Sequence, residues 1–211
     1  MAKGRISVLA GTNGAGKSSI AGQMVRGEGG QYFNPDEAAR RILEISPALT
    51  LAEANALAWR EGVERLRAAI QTGADCTFET TLGGNTIVGL LEQAAESGCE
   101  VRVWYAGLSS PDLHIRRVAA RVRRGGHDIP EADIRRRYTS SQINLIRLMP
   151  RLTGLAVFDN SLRADPATGR APEPVLVLQL ERDKIVGPPD LRATPEWAKA
   201  IVAAALKLGR G

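Results

Sequence analysis

Near the start of the chain stand eight residues with a clear chemical purpose, Gly11-Thr12-Asn13-Gly14-Ala15-Gly16-Lys17-Ser18. Their spacing is that of a phosphate-binding loop, two glycines with four residues between them followed by Lys and Ser. Glycine lets the backbone wrap until its N–H groups face one point, and a phosphate fits that point. A helix beginning there adds the positive end of its dipole. Asn13, Gly14, Ala15 and Gly16 would cradle the phosphates, with Ser19 beside the α phosphate. Lys17 would reach the β and γ phosphates, and the Ser18 hydroxyl would ligate Mg²⁺. ATP is expected over GTP because the chain has no NKxD-type guanine motif.

Moving a γ phosphate onto a hydroxyl requires an oriented acceptor, a carboxylate beside it, and cations that neutralise the leaving phosphates away from water. Asp36 follows a short apolar segment and Pro35, so it should stand near the loop as catalytic base. Its ordinary alternative is the N-cap of a helix over 37–45, and Glu37 is the fallback base. Glu79, with Thr80 and Thr81, ends another strand-like segment. That acid could hold Mg²⁺ through water or hydrogen-bond a substrate hydroxyl.

The cations are concentrated in one place. The net charge is +5, and residues 115–138 carry eight arginines against three acids, so the rest of the chain is neutral. Arg117, Arg121 and Arg124 share a helix face, while Arg136 and Arg137 follow the Gly125-Gly126-His127 turn. Guanidinium forks suit phosphate. The segment reads as a lid over the triphosphate, with a solvated basic face and nucleic-acid binding as alternatives. Only Tyr138 is an aromatic neighbour, which argues against a base-stacking platform.

Positioning these groups requires strands and helices in alternation. Strands are predicted at 5–10, 31–33, 75–80, 100–108, 155–158, 175–180 and 184–186, the last two as a hairpin. Helices are predicted at 17–26, 37–45, 50–72, 86–97, 111–124, 131–148 and 195–208. Breaks fall at Gly27, Gly29, Gly30, Gly73 and Gly98. Alternation predicts a mainly parallel sheet between two helical layers, a P-loop NTPase of α/β/α type with a helical lid. Ligands in such folds sit at the carboxyl ends of the strands. The whole of 1–211 is expected to be one domain, with the lid at 111–140.

Cys76 and Cys99 form no metal pattern with His114 and His127, and two reduced thiols are expected. No apolar run is long enough for a membrane helix, and a cytoplasmic protein is expected.

Taken in order, Phe33-Asn34-Pro35-Asp36, Phe78-Glu79-Thr80-Thr81, Arg117-Val118 with Arg121-Val122, Gly125 to Pro130, and Arg136-Arg137-Tyr138 behind the P-loop resemble the zeta-toxin-like P-loop kinases. The small bacterial branch of that family has also been labelled ABC-type ATPase. The resemblance covers about residues 5–160. It implies transfer of the ATP γ phosphate to a small-molecule hydroxyl, in studied zeta toxins that of UDP-N-acetylglucosamine, and it admits an antitoxin protein as partner. It makes Asp36 the base and Glu79 a substrate ligand, and it makes lid arginines, among Arg117, Arg121, Arg136 and Arg137, ATP ligands. Two further readings stay open. A regulatory or mechanical ATPase would need no acceptor, although an LSGGQ signature is absent and Leu82-Gly83-Gly84 is the nearest string. A nucleic-acid end kinase would use the basic segment to hold a strand.

Overall fold

The computed structural model describes residues 4–20, 31–162 and 173–209. Seven strands form one sheet: β1 (Arg5–Ala10), β2 (Gln31–Phe33), β3 (Cys76–Thr80), β4 (Glu100–Gly107), β5 (Gly154–Asp159), β6 (Val175–Glu181) and β7 (Lys184–Gly187). Their order is β2-β3-β1-β4-β5-β6-β7. The first five pair in parallel, and β6 and β7 add an antiparallel hairpin at one edge. The chain goes from β1 to the far edge, returns beside β1 as β3, and crosses to the other side as β4. The crevice above β1 is therefore the point where the winding reverses, the place where such sheets bind ligands.

The alternation of β1 shows why both faces are covered. Ile6, Val8 and Ala10 enter the main core, while Leu9 points the other way into a cluster with Ala15, Ile20, Ala106 and Phe158. β4 repeats the pattern, with Val101, Val103 and Tyr105 on one face and Ala106 on the other. A strand buried on both faces carries no polar alternation.

The helices are α1 (Pro35–Ile45), α2 (Leu51–Thr72), α3 (Asn85–Glu96), α4 (Pro111–Val122), α5 (Glu131–Leu148) and α6 (Lys199–Leu208). Helix α2 opens with a capping box: Glu53 N donates to Thr50 Oγ1 at 3.3 Å, and Thr50 N donates to Glu53 Oε2 at 2.7 Å. It closes at Gly73, whose φ of +68° is the left-handed cap that glycine adopts freely. Helix α1 corrects the sequence expectation. It begins at Pro35, and the cap is Asn34, whose Oδ1 accepts from Asp36 N at 2.9 Å and Glu37 N at 3.4 Å. Asp36 is thereby relieved of the capping role. The predicted terminal helix is split, with a 3-10 turn at Glu196–Ala198 leading into α6.

Helix α5 runs on past the predicted lid at 111–140. Leu145 and Leu148 of α5 are fully buried in the main core. Each such side chain contributes about 1.5–3 kcal/mol of burial, so α5 is a fixed support for whatever it touches. The predicted helix over 17–26 is described only at its first turn, residues 18–20; the rest, with Gly27, Gly29 and Gly30, lies outside the described residues.

Candidate active site

Between β1 and the helical turn at 18–20, the backbone wraps tightly. Gly14 and Gly16 have φ of +81° and +78°. A Cβ on Gly14 would stand 2.7 Å from the His114 carbonyl oxygen, and one on Gly16 would stand 2.3 Å from Asn160 Nδ2. Conformation and space both demand glycine at these two positions. The Lys17 ammonium donates to the Gly11 carbonyl at 2.9 Å and pairs with Glu79 Oε1 at 3.4 Å. Ser18 and Ser19 are exposed at the start of the helix, and Ala15 is buried beneath the loop.

Parallel register brings the second carboxylate to the loop: Leu9 pairs with Glu79 and Ala10 with Thr80. Glu79 is held from three sides. Besides Lys17, it accepts from the Tyr32 hydroxyl at 2.8 Å and from Asn34 Nδ2 at 3.4 Å. Burial first, then the Glu79 charge, pushes the Tyr32 phenol above its ordinary pKa, so it remains a donor. The Thr80 hydroxyl accepts from Leu82 N at 3.0 Å, which ties it to the loop that follows. Asp36, on the first turn of α1, has His127 Nε2 3.9 Å from its Oδ1. The Gly125-Gly126-His127 turn thus reaches back to the proposed base.

The arginines divide into three groups. Arg117 Nη2 donates to the Asn160 carbonyl at 2.6 Å, and Arg121 Nη2 donates to the His127 carbonyl at 3.2 Å. With Arg116 and Arg124 they line a trough of about 1300 Å³ that includes Gly14, Gly16, Lys17, Ser18 and Ser19. Arg137 belongs elsewhere. It donates to Asn13 Oδ1 at 2.8 Å and lines a separate cavity of about 310 Å³. Arg136 is not brought to either cavity; it pairs with Asp133 at 2.7 Å on an exposed face. Helix periodicity explains the split, because 136 and 137 point about 100° apart.

The smaller cavity holds Phe33, Trp59, Phe78, Thr80, Thr81, Thr86 and Ile87. Asn13, Lys17, Asn34, Asp36, Asn55, Glu79 and His127 line both spaces, so the two meet at the carboxylates. The Trp59 side chain, 47% exposed, forms part of the wall.

Sequence reasoning missed three supports. His114 is buried, and its Nδ1 lies 2.8 Å from the Asn13 carbonyl, so the neutral ring donates to the loop. Burial lowers its pKa to about 4, with Lys17 and Arg117 adding to the effect. Asn160 Nδ2 donates to the Ala15 carbonyl at 2.9 Å, and its own carbonyl takes Arg117. Asn34 caps α1 while touching Glu79. His114 stands three residues before Arg117, on the same helix face, and that spacing was its only signal.

The AAA domain family model AAA_33 matches residues 6–140. An uncharacterized protein of Haemophilus influenzae is 32% identical over 134 residues, 61% of this chain and 88% of its own. Solved structures of three assemblies share the fold. The native AvrRxo1-ORF1:-ORF2 complex matches with a TM-score of 0.63 at 15% identity, over 98% of this chain and 71% of that one. That complex has also been solved with ATP; there the match covers 64% of that chain. The PezAT chromosomal toxin-antitoxin system of Streptococcus pneumoniae matches with a TM-score of 0.53 at 13% identity, over 100% and 89% of the two chains. The Pnkp1/Rnl/Hen1 RNA repair complex matches with a TM-score of 0.52 at 17% identity over 70% of this chain, which spans only 47% of that one. No described helix is long and apolar enough to cross a membrane. With its phosphate loop, parallel sheet and family match over more than half its length, the chain belongs to the AAA domain family AAA_33 and carries a P-loop nucleotide-binding fold of the kind kinases and ATPases share.

Proposed function

We propose that the chain is an ATP-dependent phosphotransferase moving the γ phosphate to a hydroxyl of a small molecule, with a UDP-amino sugar as the first acceptor to test. The observation that carries this reading is the position of Asp36. It stands where a phosphate trough meets a second, smaller cavity, and Lys17 and Glu79 are shared between them. A hydrolase needs room only for water. A cavity of about 310 Å³ lies within the range of small-molecule sites.

In this reading the acceptor hydroxyl lies against Asp36, which orients it and takes its proton. The acceptor oxygen bonds to the γ phosphorus as the bond to the β-phosphate oxygen breaks, releasing ADP. Lys17, Arg117 and Arg121 offset charge on the phosphates. Among the described residues no group of three or more His, Cys, Asp or Glu could cage a metal ion. A Mg²⁺ that keeps its waters and shares phosphates needs only one or two protein oxygens. Ser18, with Asp36 or Glu79 through water, fits that requirement, and the ion when bound would spread phosphate charge. An antitoxin partner belongs to this reading through the zeta-toxin resemblance, with the PezAT neighbour supporting it at the level of fold alone.

The test is ATP consumption with and without UDP-N-acetylglucosamine, followed by mass spectrometry. The expected product is one phosphate heavier. Asp36→Asn should lose about 10²–10⁴ in transfer rate while its affinity for an ATP analogue stays within about threefold. Transfer undiminished in that variant removes Asp36 from the mechanism. ATP hydrolysis without a phosphorylated product would favour the ATPase reading, and salt-sensitive phosphorylation of RNA ends the end-kinase reading.

A further inference from the structure

One face of α5 carries four polar side chains that the reaction scheme leaves unused as a set. Arg137, Ser140, Ser141 and Asn144 stand at i, i+3, i+4 and i+7, a single stripe. The last three meet the loop that follows β3. Ser141 Oγ donates to the Thr81 carbonyl at 2.7 Å, Asn144 Nδ2 to the Leu82 carbonyl at 2.9 Å, and Ser140 Oγ to the Gly83 carbonyl at 3.0 Å. Three consecutive carbonyls each take one donor from the same helix. Water at the cavity edge could satisfy such groups without any side chain.

The loop is held in a conformation it would not choose. Leu82 has a φ of +54°, a region a leucine rarely occupies, and its side chain is fully buried. A residue stays there only when its surroundings over-determine it. Thr81 and Gly84 line the smaller cavity and not the phosphate trough. The stripe's first member reaches the other partner of the reaction, since Arg137 donates to Asn13 Oδ1 at 2.8 Å and its carbonyl accepts from Thr12 Oγ1 at 3.3 Å. Leu145 and Leu148 root the same helix in the core.

We infer that this stripe is a positioning array: α5 sets the wall of the acceptor cavity against the phosphate loop, with Ser141 and Asn144 as the positioning residues for the acceptor. The inference rests on the reading of the smaller cavity as the acceptor's. In-line transfer depends on sub-ångström placement, and supporting hydrogen bonds on a rigid element supply it.

The test uses Asn144→Leu, which keeps the side chain's size but removes its donor, and Ser141→Ala as a milder change. Three quantities are read: hydrogen exchange of the amides at 81–84, affinity for a fluorescent ATP analogue, and KM for UDP-N-acetylglucosamine. The array predicts exchange at least about tenfold faster at Leu82 and Gly83, acceptor KM up at least about fivefold, and ATP-analogue affinity within about twofold. A general structural role would instead weaken nucleotide and acceptor binding together, which overturns the inference. Unchanged exchange in both variants also overturns it, because the loop then holds itself. A wild-type protein that phosphorylates no acceptor rejects the underlying functional reading, and with it the stripe's acceptor role. That failure is distinct from unchanged exchange, which needs no acceptor to observe.

Discussion

Glu79→Gln should tighten the binding of metal-free ATP while it abolishes transfer, two effects of opposite sign from one oxygen-for-nitrogen exchange. The reason lies in how Lys17 is held. Its ammonium is 3.4 Å from Glu79 Oε1 and 2.9 Å from the Gly11 carbonyl, and the two side chains are only 10% and 15% exposed. To reach the β and γ phosphates, Lys17 must give up part of that attachment. Two unit charges at this distance attract by about 1 kcal/mol in water-like screening and about 5 kcal/mol at an effective dielectric of 20. Desolvation returns much of the larger figure. A net release of about 1–1.5 kcal/mol on removing the charge is the reasonable middle, which is five- to tenfold in affinity. Removing a carboxylate from beside the triphosphate acts in the same direction.

The assay is titration of a fluorescent ATP analogue, first in EDTA and then with MgCl₂. In EDTA the variant should bind five- to tenfold more tightly. With Mg²⁺ the advantage should shrink, because a carboxylate that holds a hydrated ion through water would be missing. Transfer, measured with Mg²⁺, should be abolished, since Glu79 lines both cavities. An EDTA affinity that is unchanged or weaker refutes the reasoning, for it would mean that Glu79 does not restrain Lys17.

Two further outcomes follow from the supports of the loop. His114 has a folded pKa of about 4 against an ordinary value of 6.5, so the unfolded chain takes up the proton first as pH falls. Its contribution to stability is complete above about 6.5 and is lost between there and about 4; thermal melts across that window should show the decline in wild type and not in His114→Asn, and parallel curves would sink the idea. Among the arginines, Arg117→Gln should weaken the ATP analogue about tenfold, because its fork spans the Asn160 carbonyl at 2.6 Å and the rim of the trough. Arg136→Gln should change that affinity less than about twofold, since its guanidinium pairs with Asp133 on an exposed face; equal effects of the two would contradict the geometry.

What could be read from sequence divides by the range of the interaction that decides it. The phosphate loop was legible because its requirements are local: positive φ at Gly14 and Gly16, a lysine one residue on, an apolar strand before. β1 was legible for a similar reason, being a short apolar run ended by turn residues, and β4 because buried apolar residues alternate along its first half. Arg136 and Arg137 mark the limit. Composition places both in one basic segment, yet a single residue of helix rotation sends one to Asn13 and the other to solvent. His114 and Asn160 went unread because their partners lie 101 and 145 residues away.

Leu82 shows most clearly why local reading stops. Leucine carries no turn signature, and the Gly83 beside it is better suited to a left-handed backbone. Its conformation is held locally by Thr80 Oγ1, which accepts from Leu82 N at 3.0 Å, and from outside by Asn144, 62 residues further on, and by a core that has room for its side chain. In the phosphate loop the residue types dictate the backbone, and distant groups then settle against it. At the proposed acceptor wall a distant helix shares in holding the backbone. A site assembled in that second way can alter its acceptor wall by substitutions on α5, leaving the P-loop sequence untouched. On the phosphotransferase reading, chains with the same P-loop would for that physical reason differ in their acceptor.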